Sequence, residues 1–258
     1  MQNSYKNFVV FATTVITVFL NVLVNLIPLN AITTAEVSDK YFTYFTPAGL
    51  TFAIWGVIYL GLLAYAVYHL RNPREVDSWL GKAFWWYLLA SAANILWLVS
   101  WHYEQLGLSV LCIAVLLVSL IMIYLKLEVS VYKASAKTRW MVHIPISIYL
   151  GWVSVATIAA ISAALTQVSW TGFGVGPEVW SGIMIGVATA LALKVLYFLT
   201  DYAFVLVVVW AVLGIGANFY TSAPLVLGAV IVSLFSLTSG LALKVYEHFL
   251  KPEFAKAI

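Results

Sequence analysis

The sequence is divided into long apolar runs, each of about twenty residues. One run follows an aromatic loop at Tyr44, turns at Pro47–Gly49 and continues to Leu70 without a charged side chain. About twenty apolar residues in a helix cross the hydrocarbon core of a bilayer. Only 9% of the residues are charged and 64% are hydrophobic, which is too little polar surface to cover a soluble globule. We therefore expect an all-α, polytopic membrane protein.

The apolar runs predict eight transmembrane helices. The first five are Phe8–Leu29, Ala48–Leu70, Leu80–Trp101, Leu106–Leu127 and Trp140–Leu165. The last block, Val179–Phe249, is divided at Thr200–Asp201 and at Tyr220–Pro224 into three helices. A glycine-rich loop before this block marks a boundary. It predicts two domains, a five-helix membrane bundle over residues 1–167 and a three-helix membrane extension over residues 178–258.

The loop charges predict the orientation of these helices. With the N-terminus in the cytoplasm, eleven of the thirteen Lys and Arg residues lie on the cytoplasmic side. They are Lys6, Arg71, Arg74, Lys82, Lys126, Lys133, Lys137, Arg139, Lys244, Lys251 and Lys256. Lys40 is external, and Lys194 reaches the inner face by snorkelling. This asymmetry follows the positive-inside rule and places both termini in the cytoplasm. We expect a protein of a prokaryotic cytoplasmic membrane.

The tryptophans divide into two groups by their position in the runs. Five lie near the ends of predicted helices, as in an interfacial belt: Trp79, Trp101, Trp140, Trp170 and Trp180. Trp55, Trp97, Trp152 and Trp210 lie deeper. Phe52, Trp55 and Tyr59 fall on one helical face. Two interpretations stay open for these rings: aromatic packing inside a helix bundle, or a flat aromatic ligand held against that face.

Three fragments of the chain carry distinctive motifs. The first is Thr46-Pro47 with Phe52, Trp55 and Tyr59, the second is Asn94 and Trp97 (Asn-x-x-Trp), and the third is Tyr149, Trp152, Val153 and Ala156 (Tyr-Leu-x-Trp-Val-x-x-Ala). In this order they resemble the tryptophan-rich sensory protein family, also called the translocator protein or peripheral-type benzodiazepine receptor family. The fragments match the start of the family's second helix, its third helix and its fifth helix, respectively.

The chain departs from the family pattern at several positions. Ala48 replaces the second proline, Leu50 replaces a tryptophan, and Ala160 stands where an asparagine is expected. The resemblance covers roughly Phe8–Leu165, and the three helices after Glu178 have no counterpart in it. It therefore identifies a divergent member with a C-terminal extension.

The resemblance implies a five-helix bundle with a cavity beneath the first loop. Family members bind tetrapyrroles such as protoporphyrin and haem, and some bind sterols or synthetic ligands. Some bacterial members promote light-dependent porphyrin breakdown. Transferred by position, the ligand-binding residues of this chain would be Trp55, Tyr59, Asn94, Trp97, Tyr149 and Trp152. Asn94 has a second interpretation, a hydrogen bond that joins two helices.

Other residues carry weaker signals. His69, His102, His143 and His248 show no metal-ligand spacing, and we interpret His143 as interfacial rather than as an axial haem ligand. Asp201 and Lys194 are interpreted as a helix end and a snorkelling anchor. Gly182, Gly186 and Ala190 recur every four residues, a pattern that lets helices approach closely. Cys112 is interpreted as a buried hydrophobe.

The function predicted from these observations is the binding of a planar hydrophobic ligand, a tetrapyrrole, for sensing, transport or disposal. No catalytic residue, metal or obligatory cofactor is predicted, although porphyrin or haem would be the bound ligand. The expected partners are the lipid bilayer and this small molecule, with a homodimer left open and nucleic acid excluded. Two alternatives remain: a small secondary transporter or scaffold without a tetrapyrrole site, and a light-dependent porphyrin-degrading enzyme.

Overall fold

The computed structural model describes residues 4–72, 74–75, 79–130 and 134–247. Within them, 8 helices are long and apolar enough to cross a membrane, which confirms an all-α polytopic membrane protein. The helices are α1 (Ser4–Leu26), α2 (Thr34–Lys40), α3 (Ile54–Arg71), α4 (Phe84–His102), α5 (Leu106–Lys126), α6 (Ile144–Gln167), α7 (Pro177–Leu199), α8 (Tyr202–Phe219) and α9 (Pro224–Val245). All but the short α2 belong to the spanning set. Lys133, His248, Lys251 and Lys256, which entered the sequence predictions, lie outside the described residues.

The chain forms two compact units. The first contains Met1–Thr43 and Phe52–Trp170, and the second contains Tyr44–Thr51 and Thr171–Ile258. The segment Tyr44–Thr51 therefore belongs with the last three helices, which its position in the sequence does not suggest. The predicted domains at residues 1–167 and 178–258 stay a prediction about independent folding.

The first unit is a ring of five long helices. Each helix packs against two others, in the order α1, α4, α5, α6, α3 and back to α1. Buried polar side chains of α1 form hydrogen bonds with side chains of α3 and α4. The short helix α2 packs on α4 and begins with a capping box, in which the Thr33 side chain and Glu36 exchange hydrogen bonds.

The second unit is a triangle in which α7, α8 and α9 each pack against the other two. The sequence predicted both of its helix breaks. Thr200 ends α7 in the left-handed conformation (φ 54°), and Asp201 begins α8 by accepting a hydrogen bond from the Phe204 N–H (3.1 Å). Pro224 stands in the first turn of α9, where its missing N–H needs no partner.

The predicted span Ala48–Leu70 is confirmed by a helical span over Gly49–Arg71, but its first turns are not α-helical. A 3-10 helix covers Gly49–Ala53, and the α-helix begins only at Ile54. Phe52 therefore lies before the helix that carries Trp55 and Tyr59. The physical reason is that the backbone of the preceding segment forms hydrogen bonds with α8, as described below.

Candidate functional site

The residues that the resemblance singled out lie together in the first unit. Trp55 stacks on Trp97, with ring centroids 5.5 Å apart and planes at 28°, and on Tyr59 at 5.7 Å and 22°. Tyr149 and Trp152 meet Trp55 edge to face, at 6.1 and 6.3 Å. All five side chains are buried. We call these five residues the aromatic cluster; they come from α3, α4 and α6.

Asn94, the sixth predicted residue, joins three helices. Its side-chain amide donates to the Tyr149 hydroxyl (2.9 Å), and its carbonyl accepts from the Asn21 amide (2.8 Å). Asn21 in turn accepts from the Tyr59 hydroxyl (2.8 Å). The helix-joining interpretation of Asn94 is therefore correct, and the same bonds fix two rings of the aromatic cluster.

Sequence reasoning missed Asn21, which contacts both Tyr59 and Asn94. A signal was present in α1, where Asn7, Thr14, Thr17 and Asn21 fall on one helical face inside an otherwise apolar run. All four side chains are buried. Polar residues at membrane depth are costly, so such a stripe indicates partners on neighbouring helices.

Two buried N–H groups of the aromatic cluster find no acceptor among the residues that the structure describes. They are the indole N–H groups of Trp97 and Trp152. A buried donor without a partner costs about 1–3 kcal/mol. The cluster can therefore donate two hydrogen bonds to a ligand that carries acceptors.

A cavity lies beside the aromatic cluster but is small. It is lined by Thr17, Leu62, Tyr87, Ala90, Ser91, Leu120, Ile123, Ile146 and Tyr149. Its volume is about 10 Å³, close to the minimum for one water molecule. Pockets for drug-sized ligands measure about 300–1,000 Å³. In this structure the rings of the aromatic cluster contact one another. The cavity beside them is too small for a macrocycle.

The remaining sequence candidates lie elsewhere. His69 is buried, with Nδ1 3.0 Å from the side-chain amide oxygen (Oδ1) of Asn7. His143 was expected at the interface but is buried against Trp79, with ring centroids 6.5 Å apart. Lys194 is exposed. No group of three His, Cys, Asp or Glu side chains that could hold a metal occurs among the described residues.

The structure changes the interpretation of one tryptophan. Trp101 was assigned to an interfacial belt but is 4% exposed, because it stacks on Trp97 (6.1 Å) and donates to the Thr34 carbonyl (3.1 Å). Trp210, one of the deep tryptophans, is 39% exposed. It lies in the middle of α8 and donates to the Thr51 carbonyl (2.9 Å).

A cluster of hydrogen-bonded polar side chains, formed by Lys40, Tyr41, Glu104 and Gln167, joins the ends of several helices of the first unit. Lys40 donates to both Glu104 carboxylate oxygens (2.5 and 2.7 Å), and the Tyr41 hydroxyl donates to the same carboxylate (2.5 Å). Gln167 donates to the Glu104 backbone carbonyl (3.0 Å). The hydrogen bonds from Lys40 and Tyr41 lower the pKa of the Glu104 carboxyl. This group ties α2 and α6 to the loop between α4 and α5.

Comparison with known proteins gives one result. The model of the family described as TSPO-like protein matches residues 7–243. The chain belongs to the TSPO-like protein family. The match runs into α9, so it includes the three last helices, which the resemblance had left without a counterpart. No curated protein and no solved structure matches the chain. Membership of the TSPO-like family indicates a membrane-embedded protein of ligand binding or transport in general.

Proposed function

We propose that this TSPO-like protein binds a planar hydrophobic ligand of the tetrapyrrole class at the aromatic cluster. The observation that carries the proposal is the set of four buried rings that contact Trp55, two of which keep an indole N–H without an acceptor in the described part of the chain. Asn94 belongs to the site as the residue that holds Tyr149 and, through Asn21, Tyr59.

The ring geometry suits a flat ligand. Tyr59, Trp55 and Trp97 are nearly parallel, with interplanar angles of 22° and 28°. A planar macrocycle that enters parallel to these rings can replace one ring–ring stack by two ring–ligand stacks. Each such aromatic contact contributes about 0.5–1.5 kcal/mol beyond the burial of area.

The two free indole N–H groups favour a ligand with hydrogen-bond acceptors. Carboxylate groups at the edge of a tetrapyrrole are strong acceptors, and a bond to a charged group contributes about 1.5–3 kcal/mol. A ligand that reaches Trp97 and Trp152 therefore removes the cost of two unpaired buried donors. A purely aliphatic ligand such as an acyl chain leaves that cost in place.

Binding has to open the aromatic cluster, because the cavity of about 10 Å³ beside it is far below ligand size. We expect Trp55 to move away from Trp97 when the ligand enters. The exchange of ring neighbours should change the near-ultraviolet circular dichroism of the protein as protoporphyrin IX is added.

The test follows the absorbance of protoporphyrin IX during titration with purified protein. Trp55→Leu and Trp152→Leu should weaken binding by roughly three- to tenfold, at about 1.4 kcal/mol per decade. The control is Trp180→Leu, since Trp180 lies in α7 of the second unit and bonds to the Gly172 carbonyl. If both cluster variants bind as well as this control, the transporter or scaffold function is favoured instead.

A further inference from the structure

The segment Tyr44–Thr51, which leads into the predicted span Ala48–Leu70, contains no α-helix. Its Phe45, Thr46 and Thr51 side chains are buried, and a 3-10 helix begins only at Gly49. Irregular backbone at membrane depth is tolerated only when its polar groups find partners in the protein. The hydrogen-bond partners of this segment therefore show which part of the protein holds it in place.

Three positions of α8 supply those partners. The Asn218 amide donates to the Thr46 carbonyl (3.0 Å), the Gly214 carbonyl accepts from the Ala48 N–H (2.9 Å), and the Trp210 indole donates to the Thr51 carbonyl. Residues 210, 214 and 218 are four apart, so they form one stripe along the helix. We call this stripe the α8 clamp.

Shape complements these hydrogen bonds. Gly214 has no side chain, and a Cβ atom added there would collide with the Thr51 side chain. The glycine therefore permits the close backbone approach that the Ala48 hydrogen bond requires. At the end of α8, Phe219 packs on Tyr44 with ring centroids 5.5 Å apart. Three successive turns of α8 thus follow the segment along its length.

The segment leads directly into the candidate ligand site. Thr51, the last residue held by the α8 clamp, is followed by Phe52, whose ring meets Trp152 of the aromatic cluster edge to face (6.0 Å). Trp55 comes one turn later, at the start of α3. A displacement of Thr51 is therefore transmitted through one peptide bond to a residue that contacts the site.

We infer that Trp210, Gly214 and Asn218 are positioning residues for the ligand site, acting through Tyr44–Thr51 on Phe52 and the first turn of α3. The inference rests on the function proposed above. It assigns a role to the second unit, whose helices contribute no member of the aromatic cluster.

The first experiment needs no ligand. Trp210→Phe keeps most of the ring but removes the donor to Thr51, and Asn218→Leu removes the donor to Thr46. Hydrogen exchange of peptides covering Tyr44–Thr51 and Phe52–Tyr59 should become about fivefold faster in each variant, as expected for one lost hydrogen bond. Trp180→Phe is the matched control, since it removes another indole bond within the second unit (Trp180 to the Gly172 carbonyl, 2.9 Å). If only Tyr44–Thr51 responds, or if neither peptide does, the inference is wrong.

The second experiment measures the affinity of the protein for protoporphyrin IX. Both clamp variants should weaken its binding by about fivefold, whereas Trp180→Phe should not. They should also alter the visible circular dichroism of the bound pigment, which reports its orientation against the surrounding rings and would not change through a loss of stability alone. Unchanged affinity and dichroism overturn the inference when Trp55→Leu still weakens binding. Failure of the wild-type protein to bind overturns the proposed function instead, and the exchange of Phe52–Tyr59 then decides the positioning role by itself.

A pair of substitutions at the contact between Gly214 and Thr51 provides a rescue experiment. Gly214→Ala should speed exchange of the segment because the new methyl group meets Thr51. Thr51→Ala removes the outer atoms of that side chain, so the double variant should recover part of the protection. Rescue would show that the effect arises at this contact. If Thr51→Ala gives no recovery, the close approach at Gly214 does not hold the segment.

Discussion

The interior of the five-helix ring is aromatic and polar, whereas that of the three-helix unit is mostly aliphatic and small. In the ring, Asn21 and Asn94 join α1, α4 and α6 and bond to Tyr59 and Tyr149, two of the five buried rings of the aromatic cluster. In the three-helix unit, the side-chain bond between Thr189 and Ser233 (2.5 Å) lies among Ala, Val, Ile and Leu side chains. Close packing of small and aliphatic residues is enough to associate helices in a membrane. The aromatic and polar interior of the ring is therefore more than packing requires, which supports a ligand site there.

The largest effect should come from removing the amide at the centre of the ring. Asn94→Leu removes the acceptor of one Asn21 amide N–H and the donor to the Tyr149 hydroxyl, although Asn21 keeps its bond to the Thr17 carbonyl (2.8 Å). It should lower the free energy of unfolding by about 2–3 kcal/mol. The matched change in the other unit is Ser233→Ala, since Thr189 keeps its bond to the Ile185 carbonyl (2.7 Å). That control should lose only about 0.6 kcal/mol. Denaturant unfolding in detergent compares them, and equal losses would contradict the contrast between the interiors.

A smaller effect should follow from adding a methyl group to the three-helix unit. A Cβ atom on Gly216 would lie 2.9 Å from Val230, so Gly216→Ala should cost about 1–2 kcal/mol. A Cβ atom on Gly186 meets no described atom within 4 Å, so Gly186→Ala should be neutral or stabilising by up to about 1 kcal/mol. The same unfolding measurement tests both. Equal destabilisation by the two changes would mean that steric fit does not distinguish these positions.

The smallest effect should come from the exposed polar group at the end of the ring. Because hydrogen bonds from Lys40 and Tyr41 lower the pKa of Glu104, its stabilising contribution is fully present above the ordinary glutamate pKa of 4.5 and is lost as the pH falls through the folded-state value. Glu104→Gln should therefore lower the melting temperature slightly at pH 7. The difference from the wild type should shrink below about pH 4.5. A difference that is independent of pH down to strong acid would show that the carboxylate charge is not its source.

Several features of the fold followed from the sequence alone. The number of long apolar helices and the break at Thr200–Asp201 could be predicted because apolar length and helix caps are local properties. The six candidate site residues, which the motifs in the sequence indicate, lie together in the structure. Their motifs fall at fixed positions on three helices, so packing of those helices in one bundle was enough to bring the six residues close together. Their role in ligand binding stays a prediction.

Other features were decided by contacts between residues far apart in the chain. Asn21 acquired its role from Asn94, 73 positions away, and Trp210 acquired its role from Thr51, 159 positions away. The same long-range bonds to α8 delay the start of α3 to Ile54 and assign Tyr44–Thr51 to the second unit. An apolar run shows that a segment can enter a membrane, but not which backbone or side chain will satisfy its polar groups there. That choice depends on which helices pack side by side, and only the tertiary structure fixes it.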